Sequence, residues 1–231
     1  MSDAAAIRAG WRLQIARAGT EAQSVVVIDG FAPQPQQFVD DAAFLAFGPM
    51  GEHYPGIRAR APEALLRPLL DALRPTIAEV FGPGEPSVVD ALYSLVTTPP
   101  AALAPIQRLP HVDETSPRRL ALLHFLSRDE ASGTAFFRHR TTGWESLDAG
   151  RLSAYRSALD ADLARNGLPP PGYIAGDTPL FEQIACYAGR FNRALLYRSN
   201  TLHCAAIAAD QIFSPDPGAG RLTVNTFLEL R

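Results

Sequence analysis

Apolar positions along this chain follow a helical period first and a strand period later, with the change near residue 87. Ser24 to Asp29 (SVVVID) is a short β-branched run closed by Asp29-Gly30, and it reads as a strand with a turn behind it. From Pro33 to Phe47 the residues Phe38, Ala42, Leu45 and Ala46 recur at intervals of three and four, the spacing of a helix face. Residues 48–61 read as loop. Pro62 suits a helix's first turn. Leu65, Leu66, Leu69, Leu70, Leu73 and Ile77 then line one face, and Gly82-Pro83-Gly84 stops the helix. The first 22 residues carry Arg8, Arg12 and Arg17 among small apolar neighbours and give either a helix or a first strand.

Beyond residue 87 the period is two. VVDALYSLV, RLALLHFLS, GTAFFRH, FNRALLYRS and LTVNTFLEL are short, β-rich and separated by turn residues, which predicts an antiparallel sandwich or barrel. One stretch interrupts it. Leu152, Tyr155, Leu159 and Leu163 give a helix over 148–166, closed by Pro169-Pro170-Pro171-Gly172. The expected class is α+β. One domain spans 1–231, with an N-terminal strand and helices over about 1–85. A β core follows over about 86–231, holding an insertion at 140–178.

Composition narrows the chemistry. Of 231 residues 47% are apolar and 19% charged, enough for a sizeable core. A net charge of −3 lacks the basic footprint of a nucleic-acid binder. All 21 basic residues are arginine, so lysine Schiff bases, a P-loop lysine and lysine general bases are excluded. Neither G-x-S-x-G nor H-E-x-x-H occurs. Cys186 and Cys204 have no metal-binding spacing and are too few for a disulfide scaffold, which points to a reducing cytoplasm. The N-terminus shows no secretory signal, and no apolar run approaches the ~18 residues of a membrane span.

Three segments can carry chemistry. In Pro110-His111-Val112-Asp113, an extended backbone turns His111 and Asp113 to one side, where both can hold one metal ion. His203, in LLYRSNTLHCA, can complete a two-histidine, one-carboxylate face with open positions, the donor set of non-haem Fe(II) oxygenases. In GRLTVNTFLEL, Arg221, Thr223 and Asn225 share one face and Leu222, Val224 and Thr226 the other. A buried arginine is costly unless paired, and a dicarboxylate pairs it through both arms of the guanidinium. Each has a plainer reading when taken singly. His-x-Asp is then structural or exposed, His203 a satisfied core residue, and the arginine face solvated. Elsewhere, His124 in LALLHFLS reads best as a hydrogen-bonded core histidine, and Cys204 as a small core residue. Arg138-His139-Arg140 reads as a solvated strand end, and Gly133-Thr134 as a close backbone approach or a bulge near the metal. His53 and Tyr54 lie in a loop that can reach the site.

The order of these segments resembles that of the Fe(II)/2-oxoglutarate-dependent oxygenases, most of all bacterial members of their prolyl-hydroxylase-like branch. The resemblance spans roughly residues 24–230. VVVIDGFAP and the helix after it resemble the branch's opening. HVDETSPRRLALLHFLSRDEASGTAFFRH resembles its His-x-Asp block, FNRALLYRSNTLHCA the strand leading to the distal histidine, and GRLTVNTFLEL the closing arginine strand. The resemblance implies a double-stranded β-helix, or jelly roll, with His111, Asp113 and His203 as metal ligands. It implies Arg221 on the far carboxylate of 2-oxoglutarate with Thr223 assisting, and Asn225 and His124 as further cosubstrate-binding positions. The implied cofactors are Fe(II), 2-oxoglutarate and O2. The implied reaction couples decarboxylation of 2-oxoglutarate to succinate with oxidation of a C–H bond in a small-molecule or peptide substrate, by a monomer or homodimer. Three departures stand out. A turn-rich stretch (DQIFSPDPGAG) lengthens the gap from His203 to Arg221, and Phe125 replaces a tyrosine often found near the cosubstrate. The 140–178 insertion is long and is the candidate lid. The rival classes are a non-catalytic jelly-roll module binding a metal or small acid, and a metal-dependent hydrolase. The arginine strand disfavours the hydrolase, which has no use for a dicarboxylate anchor.

Overall fold

The computed structural model describes residues 3–231 other than 129 and 131. Asp129 and Ala131, within the sequence of the His-x-Asp block, lie outside the described residues, as do Met1 and Ser2. The elements run α1 (Asp3–Ala9), β1 (Arg12–Ala18), β2 (Gln23–Asp29), α2 (Gln36–Ala43), β3 (Gly56–Arg60), α3 (Glu63–Phe81) and β4 (Pro86–Val96). Then come β5 (Arg119–Phe125), β6 (Gly133–His139), α4 (Ala149–Asn166), β7 (Phe181–Ala188), β8 (Arg193–Arg198), β9 (His203–Ala206) and β10 (Leu222–Leu230). The first 22 residues thus hold both a helix and a strand.

The strands form two sheets. A seven-stranded sheet has the order β1-β2-β8-β5-β10-β4-β3 and a three-stranded sheet the order β7-β6-β9. All strand pairs are antiparallel. The central strands β2, β8 and β5 of the larger sheet are buried on both faces, which explains their near-continuous apolar runs. One face carries Leu120, Leu122, Leu196, Val224 and Leu228. It packs on Leu66, Leu69, Leu73 and Ile77 of α3, the face that the helical spacing picks out. The other face carries Val25, Val27, Ala121, Phe125, Leu195 and Tyr197 and meets Phe136 of β6, so this second core joins the two sheets.

Two strands depart from the sequence reading. Within the stretch read as loop, Gly56–Arg60 is a strand on the edge of the large sheet, paired with β4. Its start is so close to β4 that a Cβ on Gly56 would lie 1.9 Å from the Leu95 carbonyl oxygen, so glycine here marks close pairing and not a break. Phe181–Ala188 pairs with β6, but its residues are mostly half-buried, and a strand packed that way shows no clean alternation.

The insertion expected to act as a lid is helical in its first part and packs on the small sheet. Leu152, Tyr155, Leu159 and Leu163 of α4 pack with Phe137 and Phe181 of the small sheet, a cluster separate from the core between the sheets. His139 is fully buried under α4, its Nε2 3.2 Å from Asp162 Oδ2 and its Nδ1 3.0 Å from Thr142 Oγ1. Arg165 also reaches Asp162, at 3.1 Å. The solvated strand end is therefore an ion-pair network. Arg138 bridges the buried Glu145 and Glu182, and Arg140 holds Asp177. No described helix is long and apolar enough to cross a membrane.

Candidate metal centre

His111 sits in the loop before β5, and His203 opens β9. Their backbones form an isolated antiparallel bridge, each N–H donating to the other's carbonyl at 2.9 Å. Two residues on, the Asp113 N–H donates to the Ser199 carbonyl at 2.9 Å. This pairing holds the loop extended, so His111 and Asp113 face one side as their i, i+2 spacing requires. One ligand atom from each of His111, Asp113 and His203 lies within 4.8 Å of the others. His111 Nε2 is 3.7 Å from Asp113 Oδ1, and His203 Nε2 is 3.5 Å from Asp113 Oδ2. Two ligand bonds of about 2.1 Å at a right angle span about 3.0 Å, so a small contraction brings the three onto one ion. Across the ring from its free edge, His203 Nδ1 lies 2.8 Å from the Thr201 carbonyl oxygen. That contact assigns the proton to Nδ1 and leaves the Nε2 lone pair for a metal, the orienting bond usual for a ligating imidazole.

Electrostatics agree with this donor set. Burial pulls the His203 imidazole down to about 4. His111, with 55% of its side chain exposed against 7% for His203, is pulled the same way by its desolvated side and the neighbouring His203, against Asp113. Burial also pushes the Asp113 carboxyl up, against the pull of His111 and Arg58. Two neutral imidazoles and a carboxylate therefore converge at neutral pH, and a divalent cation there would offset the cost of burying the carboxylate. The residues present fit Fe(II) in the facial arrangement.

All three open onto a cavity of about 520 Å³. Arg221, Thr223, Asn225 and Phe227 line its wall, as alternation along β10 predicts, while Leu222, Val224 and Leu228 enter the core on the opposite face. Arg221 is only 4% exposed. Its Nη2 donates to the Gly133 carbonyl at 2.7 Å, and its guanidinium carbon lies 5.6 Å from the Phe125 ring centroid. Gly133 is indeed a close backbone approach, since a Cβ there would lie 2.0 Å from the Tyr187 carbonyl oxygen. Thr223 Oγ1 donates to Asn225 Oδ1 at 2.7 Å.

His124 is a correction as a cosubstrate-binding position. It is 1% exposed, lies 3.0 Å from Asn192 Oδ1 and packs edge-on against Phe31 and Phe38. Side chains alternate along β5, so His124 faces the helix-covered core, whereas Leu123 and not His124 lines the cavity. Cys204 is buried as expected, in the cluster with α4. His53 and Tyr54 do line the cavity. Of the 140–178 insertion, only Arg156, Tyr173 and Ile174 line it.

Two lining residues escaped the sequence reading. Tyr197 of β8 was hidden in an apolar run. Its ring lies 4.9 Å from that of His203, and its buried hydroxyl has no hydrogen-bond partner among the described residues. Arg58 stands on the unrecognised edge strand. The alternation in Ile57-Arg58-Ala59-Arg60 was the available signal.

Over residues 9–228 the sequence matches the Family of unknown function (DUF6445). The chain belongs to this family. No curated protein matches the DUF6445 chain. In structure it is similar to SnoN, a non-haem alpha-ketoglutarate-dependent epimerase from nogalamycin biosynthesis. That likeness has a TM-score of 0.53 and 14% identity over 98% of this chain and 82% of SnoN. It is similar too to HygX from Streptomyces hygroscopicus, solved with nickel and 2-oxoglutarate bound, with a TM-score of 0.53 and 11% identity over 91% of this chain and 84% of HygX. These likenesses establish that the DUF6445 chain shares the fold of iron- and 2-oxoglutarate-dependent enzymes.

Proposed function

We propose that this DUF6445 chain is a non-haem Fe(II)- and 2-oxoglutarate-dependent dioxygenase that oxidises a C–H bond of a small-molecule or peptide substrate. It would do so on a double-stranded β-helix core forming one domain. The observation that carries the reading is the convergence of His111, Asp113 and His203 at the wall of a cavity that Arg221 also lines. The shared fold with SnoN and HygX supports it. The likeness to the prolyl-hydroxylase branch rests on sequence blocks alone.

In this reading His111, Asp113 and His203 hold Fe(II), and the Thr201 carbonyl keeps His203 in the ligating tautomer. Iron and 2-oxoglutarate together supply the chemistry, an O2-dependent decarboxylation to succinate and CO2 that drives C–H oxidation. The protein binds, orients and keeps water out. Arg221 offers its planar fork to the far carboxylate of the cosubstrate. Asn225 holds the Thr223 hydroxyl beside it. The Tyr197 hydroxyl supplies the donor that Phe125 lacks. Leu109, Val112 and Ile174 keep the cavity apolar around the metal position.

The test is anaerobic titration of Fe(II) and then 2-oxoglutarate, followed by succinate release on adding O2. One metal per chain, metal-dependent 2-oxoglutarate binding and slow uncoupled succinate formation are expected. Metal and 2-oxoglutarate binding with no succinate would turn the reading to a non-catalytic binding module. Metal binding that survives His203→Ala and Asp113→Ala unchanged would remove the site altogether.

A further inference from the structure

The cavity carries more positive charge than iron and 2-oxoglutarate account for. Four arginines (Arg58, Arg108, Arg156 and Arg221) line it against two carboxylates, Glu52 and Asp113. A divalent metal adds two positive charges and the 2-oxoglutarate dianion removes two, so the loaded cavity keeps the surplus. Arg221 serves the cosubstrate in the reading above. Arg108 is spent on backbone, donating to the carbonyls of Leu103 and Pro169. Arg156 is exposed on α4. That leaves Arg58.

Arg58 is held as a binding group is held. Its partner in the β3–β4 register is Ser94, whose partner on β10 is Thr223, so the three stand in one row across the sheet. Arg58 Nε donates to Ser94 Oγ at 3.1 Å. The guanidinium carbon lies over the Tyr54 ring, 3.7 Å from its centroid. Behind it runs the loop of Gly51, whose φ of +85° and lack of a side chain admit the guanidinium. A Cβ there would lie 2.9 Å from Arg58 Nη1. Stacking, the Ser94 bond and the loop fix the plane of the fork. Among the described residues Arg58 makes no ion pair within 4.0 Å, yet its charge acts on both His111 and Asp113. A preorganised guanidinium on the same cavity as the metal position, whose lining also includes Val96, Ile106, Leu109, Val112, Ile174 and Phe227, suits one end of a ligand that is anionic with an apolar body.

We infer that Arg58 is the substrate-anchoring residue of this site and that the substrate is a carboxylic acid with an apolar body. The inference rests on the oxygenase reading for the word substrate, but the binding it describes does not. Matched probes test it: 3-phenylpropanoate against 3-phenylpropanamide, and hexanoate against hexanamide. Each is titrated calorimetrically into the full chain, metal-free and loaded with Mn(II) and 2-oxoglutarate. At least one acid should bind about ten- to a hundredfold more tightly than its amide, the span of a charge-assisted hydrogen bond. The preference should vanish in Arg58→Met, which keeps the stem over Tyr54, and return in part in Arg58→Lys. Mn(II) and 2-oxoglutarate should still bind both variants, with Mn(II) somewhat tighter in Arg58→Met because a positive charge beside the ligands is gone. Acid and amide binding alike, no binding of either acid, or a preference that survives Arg58→Met would each overturn the inference. Loss of 2-oxoglutarate binding in Arg58→Met would also overturn it, by making Arg58 the cosubstrate anchor. An acid preference dependent on Arg58 in a protein that binds neither Mn(II) nor 2-oxoglutarate would sink the oxygenase reading and leave the anchor standing.

Discussion

Truncating Arg221 to alanine removes the guanidinium from the cavity wall while leaving the backbone of β10 paired on both sides. In the native protein Arg221 is 4% exposed, and its guanidinium donates to the Gly133 carbonyl and lies over the Phe125 ring. The substitution has two costs, which can be measured apart. Folding loses the donation to a buried carbonyl, about 1–3 kcal/mol, which appears in urea unfolding without any ligand. Binding loses the partner of a buried carboxylate, about 2–5 kcal/mol. At about 1.4 kcal/mol per tenfold, 2-oxoglutarate should bind the variant roughly 30- to 4,000-fold more weakly. Arg221→Lys should recover only part of this, because an ammonium is a point charge without the planar fork. The assay is calorimetric titration of 2-oxoglutarate into Mn(II)-loaded protein, with the Mn(II) affinity read separately by electron paramagnetic resonance. Mn(II) affinity should hold within about twofold, since Arg221 supplies no ligand atom. Equal 2-oxoglutarate affinities in wild type and Arg221→Ala would refute the anchor.

The remaining predictions address the metal, the second donor and pH. His203→Ala should weaken Mn(II) at least about 100-fold by paramagnetic titration, more than the 10- to 100-fold usual for removing a residue that merely orients a ligand. Tyr197→Phe should weaken 2-oxoglutarate by about two- to tenfold in the same calorimetric assay, the worth of one neutral hydrogen bond, and leave Mn(II) binding unchanged. Burial holds the His124 imidazole down at about 4, below the ~6.5 of the unfolded chain, so the unfolded chain takes up this proton first. Its contribution to stability is therefore full above pH ~6.5 and falls as pH drops toward 4. Urea unfolding at pH 7 and pH 5 should show wild type losing about 2 kcal/mol more than His124→Leu over that interval, and parallel losses would contradict it.

How far the sequence could be read depended on how many faces of each element are buried. β10 was legible because one face is polar and enclosed by the cavity while the other joins the core, so Arg221, Thr223 and Asn225 separated cleanly from Leu222 and Val224. α3 was legible because its inward face is a continuous apolar stripe, strong enough to carry Pro68 and Pro75 inside the helix. β5 is buried on both faces. Apolar content then says nothing about which face looks into the cavity, and only the register shows that His124 faces the helix-covered core. The edge strand carrying Arg58 was hidden by glycines, which chain reading takes as breaks and which the fold uses for close backbone approach. The pairing of His139 with Asp162 was out of reach for another reason. It joins a strand to a helix across the insertion, and neither residue's own surroundings mark the other.

The same pairing decides what the insertion can do at the cavity. For α4 to swing as a lid, Tyr155 would have to leave the small sheet and the buried His139–Asp162 contact would have to open. Swinging the helix would also strip Tyr155 and its leucine neighbours from the small sheet, and burying one large apolar side chain is worth about 1.5–3 kcal/mol, so an open helix is a minor population. The segment between α4 and β7 is held more lightly. Pro169 is tied by Arg108 to its carbonyl, Tyr173 by its hydroxyl to the Thr98 carbonyl, and Tyr173 stacks on Phe213 at 5.8 Å. These are single contacts from three separate segments at the cavity wall, each worth about 1 kcal/mol. If Arg58 anchors a ligand as proposed, Tyr173 and Ile174 are the residues of this segment placed to meet its body. Because α4 stays clamped to the small sheet, a ligand that displaces those two side chains shifts a few residues and not the helix.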